Sequence, residues 1–145
     1  MTLLIAITVV FLLVEVANIW ALYFNTGSHR FNAIGVFAGW EGSKEHPEVH
    51  DLVRYLAYWV AGVKLIFILV MAAVLIFGDD RMRVVATGAL ALATVSYFWR
   101  LGPLIRSIDR SSQLTVPGYS RVLDVMVAGL LAGLVVAVVS GAVSL

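Results

Sequence analysis

Glu15 and Lys64 are an acid and a base that stand inside stretches otherwise built from apolar side chains. An ionisable group in hydrocarbon costs about 3 kcal/mol or more unless a partner or water reaches it. Asn18, three residues on from Glu15, shares its helix face and can both donate and accept. Arg54, Tyr58, Tyr97, Arg100 and Asp124 add further polar groups near the ends of apolar runs. Such a set suits an ion or proton relay, or a pocket for an anionic head group. It also suits a purely structural bridge that fixes helix register.

A second, weaker cluster is His46, Glu48 and His50, with His29, Glu45 and Asp51 nearby. Two histidines four apart on a helix can face one metal ion. Here Pro47 separates them, and H-P-E-V-H is not the H-E-x-x-H pattern of zinc hydrolases. An ordinary polar helix start is the expected reading, with a metal held by His46, His50 and Glu48 as the alternative. No other cofactor is expected. No histidine falls inside a long apolar run, which argues against a haem held by paired intramembrane histidines. Lys64 with a Glu15 counter-ion also suggests a retinal Schiff base, but four spans do not readily enclose that chromophore. The chain has no cysteine, which removes thiolate metal sites, Fe–S clusters, disulfides and catalytic thiols.

The elements that must position these residues are membrane spans. Of 145 residues 61% are hydrophobic and 13% charged, against roughly 45–50% and 25% in soluble domains. A net charge of +1, with no basic patch, gives no reason to expect nucleic acid. Four runs are long enough to cross a bilayer as helices, at about 2–24, 51–77, 82–101 and 121–143. The first lacks a positive leader and a small-x-small cleavage site, and is read as a retained span rather than a signal peptide. Between the first two spans, Phe31, Ile34, Phe37 and Trp40 recur every three or four residues. That segment is too short to cross and should lie in the interface, re-enter, or tuck against the bundle. Ser43 or His46 is placed to cap the second span, with Pro47 in its first turn. Gly78-Asp79-Asp80 is a tight turn that should make spans two and three antiparallel neighbours, and Gly102-Pro103 should end or kink the third. The expected fold is all-α: one polytopic membrane domain, a four-transmembrane-helix bundle filling residues 1–145.

Residue counting then sets depth. Glu15 lies nine residues before Phe24, and Lys64 nine after Tyr55, so both sit about 13 Å from the same surface. They meet if spans one and two pack together. The groups Glu15, Asn18, Arg54, Tyr58, Lys64, Tyr97, Arg100 and Asp124 all belong to the half nearer the two longer loops, and the other half is essentially aliphatic. The pattern predicts a polar recess open on one side and sealed on the other. Those loops and their flanks carry Arg30, Lys44, Arg54, Arg100, Arg106, Arg110 and Arg121, whereas the opposite side has only Arg81 and Arg83. The positive-inside rule puts the loops in the cytoplasm and both termini outside, as expected for a prokaryotic cytoplasmic membrane. Gly129, Gly133 and Gly141, with Ala137, form a small-residue ridge for packing within the chain or against a second copy.

Three functions follow in descending order. The first is transport or channel-type handling of an ion, proton or small anionic solute at Glu15 and Lys64. Next comes a non-catalytic subunit or assembly factor of a larger membrane complex. Last is a membrane-embedded enzyme acting on a lipid or isoprenoid, with Glu15 or Asp124 as acid and base. The lipid bilayer is the expected partner throughout, joined by further copies of the chain or by a larger complex.

Overall fold

A computed structural model describes all 145 residues and is entirely helical apart from loops and one isolated β-bridge. Helix α1, Thr2–Phe24, is an unbroken apolar rod. A short 3-10 turn, Ile34–Val36, and the five-residue α2, Gly39–Ser43, make up the first loop. Helix α3, Pro47–Phe77, begins at Pro47, whose missing N–H would be unpaired in a first turn anyway. At its end Gly78 turns so tightly that a Cβ would sit 2.5 Å from the Val74 carbonyl oxygen. Asp79 then caps α4, Asp80–Ser96, by accepting from the Met82 amide at 2.8 Å.

Of the two outcomes expected at Gly102-Pro103, an end is not found: the third rod continues past it. A π-helical segment, Tyr97–Leu101, leads into α5, Gly102–Arg110, so that 80–110 runs on as one helical rod. In that segment the Gly102 amide reaches back to the Tyr97 carbonyl, five residues away. The shifted register takes up the irregularity that Pro103 would otherwise impose. Helix α6, Tyr119–Val143, completes the chain and starts at Gly118, whose φ of +78° favours glycine. Its first amides are capped from α5: Asp109 accepts from the Gly118 and Ser120 amides, both at 3.0 Å.

These four rods are long and apolar enough to cross a membrane. Their outward faces carry large apolar side chains, among them Leu13, Leu69, Leu92 and Val125, each more than half exposed. A contiguous apolar exterior of this kind needs a hydrocarbon solvent or a partner. Packing runs in the order α3, α1, α6, α4. The antiparallel pair α3 and α4, although joined by a tight turn, share far less surface than α4 shares with α6. Helix α4 instead packs chiefly on α6, and touches α1 where Thr87, fully buried, has its hydroxyl 3.3 Å from that of Thr8. This hydroxyl pair lies in the half expected to be aliphatic.

Two apolar clusters result. The larger joins Phe11, Leu12, Ile19 and Leu22 of α1 to Ala57, Ala61, Ile68 and Met71 of α3, with Leu90, Ala91 and Leu134. The smaller, at the loop end, holds Tyr97, Ile105, Leu114 and Leu123. The first loop folds over that end rather than trailing away. Phe37 bridges Leu114, Ala38 donates to the Gln113 carbonyl, and Thr115 donates to that of Val36, the last two at 2.9 Å. Ala33 and Val36 are fully buried beneath this cap.

The small-residue ridge divides. Gly141 lies so close to α1 and α4 that a Cβ would meet Leu4 Cδ1 at 2.5 Å and Val84 Cγ2 at 2.8 Å. At Gly133 the nearest atom, Ile7 Cγ2, is a comfortable 3.5 Å away, and at Gly129 nothing lies within 4 Å. A spacing of four drifts about 40° per step around a helix of 3.6 residues per turn, so three steps rotate Gly129 off the packed face. Gly141→Val should therefore destabilise by about 1–3 kcal/mol through overpacking. Gly129→Ala should be neutral or stabilising by up to about 1 kcal/mol through helix propensity. Thermal unfolding in mild detergent checks the contrast, and equal losses at the two sites would contradict it.

Candidate functional site

Lys64 reaches from α3 to α1. Its Nζ lies 2.6 Å from Glu15 Oε2 and donates to Asn18 Oδ1 at 2.8 Å. The approach to Glu15 is an ion contact rather than an aligned hydrogen bond, and Oε2, shut off from solvent, has no hydrogen-bond donor. Asn18 spends its other end on the loop: Nδ2 donates to the carbonyls of Phe31 and of Asn32, the latter at 3.1 Å. Both loop residues have positive φ, +55° and +54°. Asparagine tolerates that region, whereas phenylalanine there carries about 1–3 kcal/mol of strain. The Asn18 amide holds that strained turn in place. One buried asparagine thus couples the Lys64 ammonium to the loop that caps the bundle.

A second polar group pins the π-helical segment. Tyr97 donates to Asp124 Oδ1 at 2.8 Å, and Arg106 Nε lies 3.2 Å from the other carboxylate oxygen while donating to the Gly102 carbonyl at 3.1 Å. Asp124 therefore pairs with Arg106 rather than with Arg100, because the π turn moves Arg100 round the rod. Arg100 makes no ion pair; its guanidinium stacks against Trp99 with 5.1 Å to the ring centroid.

Between the two apolar clusters lies a partly open recess of about 780 Å³. Phe11 and Leu130 line it from the larger cluster, and Tyr97 and Leu123 from the smaller. Glu15, Asn18 and Lys64 line it too, as do Arg100 and the loop residues His29, Arg30, Phe31 and Asn32. Tyr119 closes part of the wall by donating to Asn32 Oδ1 at 3.1 Å. Arg30, like Arg100, makes no ion pair. The residues lining the recess thus include three cations and one carboxylate, with Arg30 and Arg100 both exposed. Arg30 was not singled out in the sequence because nothing there shows that its loop folds back over the helices. At the far end, Leu4, Thr8, Leu134 and Ala137 are all fully buried, and the bundle is tightly packed.

Other candidate residues lie elsewhere. Arg54 is exposed on α3, 3.7 Å from Asp51 and 3.4 Å from the Tyr58 hydroxyl. Tyr58 packs on Tyr23 with ring centroids 5.8 Å apart. Both are one to three helical turns before Lys64, and the 100° step per residue carries them round α3 away from the recess. Asp124 is not among the residues lining the recess; it belongs to a small polar cleft with Arg106, Arg110 and Arg121. His46 and Glu48 are exposed, and His50 is committed to Ser43, whose Oγ lies 2.8 Å from Nδ1, and to the Trp40 ring. Ser43 is likewise no cap for α3, since its hydroxyl donates to the Trp40 carbonyl at 2.7 Å. No three histidine, aspartate or glutamate side chains converge anywhere in the chain.

Comparison of the chain with protein-family models, with curated proteins and with solved structures finds no match. The residues therefore have to carry the reading. Removing one member of the Glu15–Lys64 pair strands the other. Fully buried pairs lose about 3–5 kcal/mol on such a change. With side-chain exposures of 20% and 31%, Glu15→Gln or Lys64→Met should lose about 1–3 kcal/mol. The double variant Glu15→Gln/Lys64→Met should recover most of that loss in thermal unfolding. A double variant no better than the worse single would contradict the pairing.

Proposed function

We propose that the chain is an integral membrane protein of transport type, whose loop-side recess takes up an anionic ligand. The carrying observation is the charge inventory of the recess: Arg30 and Arg100 are unpaired beside a neutralised Glu15–Lys64 pair. Neither guanidinium can lose its charge near neutral pH, and both present several donors to a phosphate or carboxylate. The apolar walls lower the local dielectric and so strengthen attraction to an anion. The packed half around Leu4, Thr8, Leu134 and Ala137 argues for binding and exchange rather than an open pore. On this reading the four rods span a prokaryotic cytoplasmic membrane. The arginine-rich loops face the cytoplasm, both termini lie outside, and the cap rests at the interface without crossing.

A second reading, that of a non-catalytic subunit of a larger complex, draws on α6. Ala128, Gly129 and Ala132 are exposed there with no neighbour from the same chain over Gly129. Small residues let a further helix approach closely.

Exchange of labelled anions across proteoliposomes tests the first reading, using phosphate, short carboxylates and anionic amphiphiles as probes. At least one species should move faster than in protein-free vesicles, and about tenfold more slowly with Arg30→Gln/Arg100→Gln. If every probe moves no faster than in protein-free vesicles, that reading fails.

A further inference from the structure

The recess has a feature that a site for a small water-soluble ion does not need: part of its wall is also the outside of the bundle. Val14, Leu101, Val122 and Met126 line the cavity, yet each is substantially exposed, with Val122 at 65% and Leu101 at 52%. Side chains that face both the cavity and the exterior mark a lateral opening between the rods. On a membrane-spanning bundle that opening gives onto hydrocarbon, not water. A hydrated ion would be badly placed beside it. A molecule with an anionic head and an apolar tail satisfies both surfaces at once.

We infer that the ligand of the recess is an anionic amphiphile, a phosphate- or carboxylate-headed lipid, entering sideways from the bilayer. Its head group meets Arg30 and Arg100, and its tail leaves along Val122 and Met126. The volume of about 780 Å³ lies within the roughly 300–1,000 Å³ of ordinary small-molecule sites. It holds a head group and the first carbons of a tail, and the rest of the tail stays in the membrane. The Glu15–Lys64 pair, already neutralised, gives the deep end a polar floor without competing for the head group. Loop residues Phe31 and Asn32, held by Asn18, line the chamber on its loop side. This inference rests on the anion-binding reading of the same recess, and adds what kind of molecule carries the anion and from which phase it comes.

The test is native mass spectrometry of the full chain released from mild detergent, with four probes offered separately. They are dioleoyl phosphatidylglycerol, dioleoyl phosphatidylcholine, glycerol phosphate and inorganic phosphate. The phosphatidylglycerol should be retained about tenfold or more over phosphatidylcholine and over both tail-free anions. Arg100→Gln should reduce retention about tenfold, whereas Arg54→Gln, the same charge change on the outer face, should leave it unaltered. Retention of glycerol phosphate or phosphate equal to that of the lipid would overturn the inference while leaving anion binding standing. Retention of none of the four would overturn both. Equal losses from Arg54→Gln and Arg100→Gln would also overturn it, because binding would then reflect general surface charge.

Discussion

The arrangement depends on the solvation of one ammonium group. Lys64 stands midway along an apolar helix, where hydrocarbon offers it nothing, so α1 must supply the missing contacts. Glu15 provides the charge and Asn18 the hydrogen-bond acceptor, at 2.6 and 2.8 Å. That requirement fixes the rotation of α1 and α3 about their axes, since only one face of each can bring the three groups together. It also explains why the cap sits where it does: the amide nitrogen left over on Asn18 is satisfied by the strained Phe31–Asn32 turn. Helix pairing, a buried charge and loop placement are thereby solved by three side chains.

The recess is the space left when this constraint and a second one are both met. Tyr97, Asp124 and Arg106 tie the π-helical segment to α6, and Thr8 with Thr87 ties α4 to α1 near the other end. Helix α4 therefore leans chiefly on α6, and α3 packs chiefly on α1. Two apolar clusters form where the rods close, and the chamber opens between them. Because Glu15 cancels Lys64, the electrostatic character of the chamber comes from Arg30 and Arg100.

How much of this was legible depended on whether a feature is local. Four apolar runs, the turn at Gly78 and the start at Pro47 are written in short stretches, and four helical rods lie along them, although the third runs on to Arg110, well past its 82–101 stretch. Equal depth for Glu15 and Lys64 needed only the rise per residue, and their side chains do meet. Placing Arg54, Tyr58 and Asp124 around one centre failed because depth alone says nothing about azimuth. Arg54 is exposed beside Asp51, Tyr58 packs on Tyr23 of α1, and Asp124 turns to Arg106. The π register at Tyr97–Leu101 was hidden because proline usually signals a stop, and only packing shows a rod continuing through it. Arg30 was out of reach for a similar reason, since the fold-back of its loop is decided by Asn18, a residue on another element.

The central claim is a chamber open toward the loops and closed toward the termini. The absence of cysteine makes it directly measurable with single-cysteine variants and a membrane-impermeant thiol reagent. Val127 lines the chamber, and Ala137, fully buried, lies ten residues farther along the same helix, about 15 Å deeper. Val127→Cys should label in vesicles that expose the loop side and not in those that expose the termini, with Ala137→Cys protected in both. Labelling of Ala137→Cys from the loop side as fast as Val127→Cys, or of Val127→Cys from the terminal side, would contradict the account.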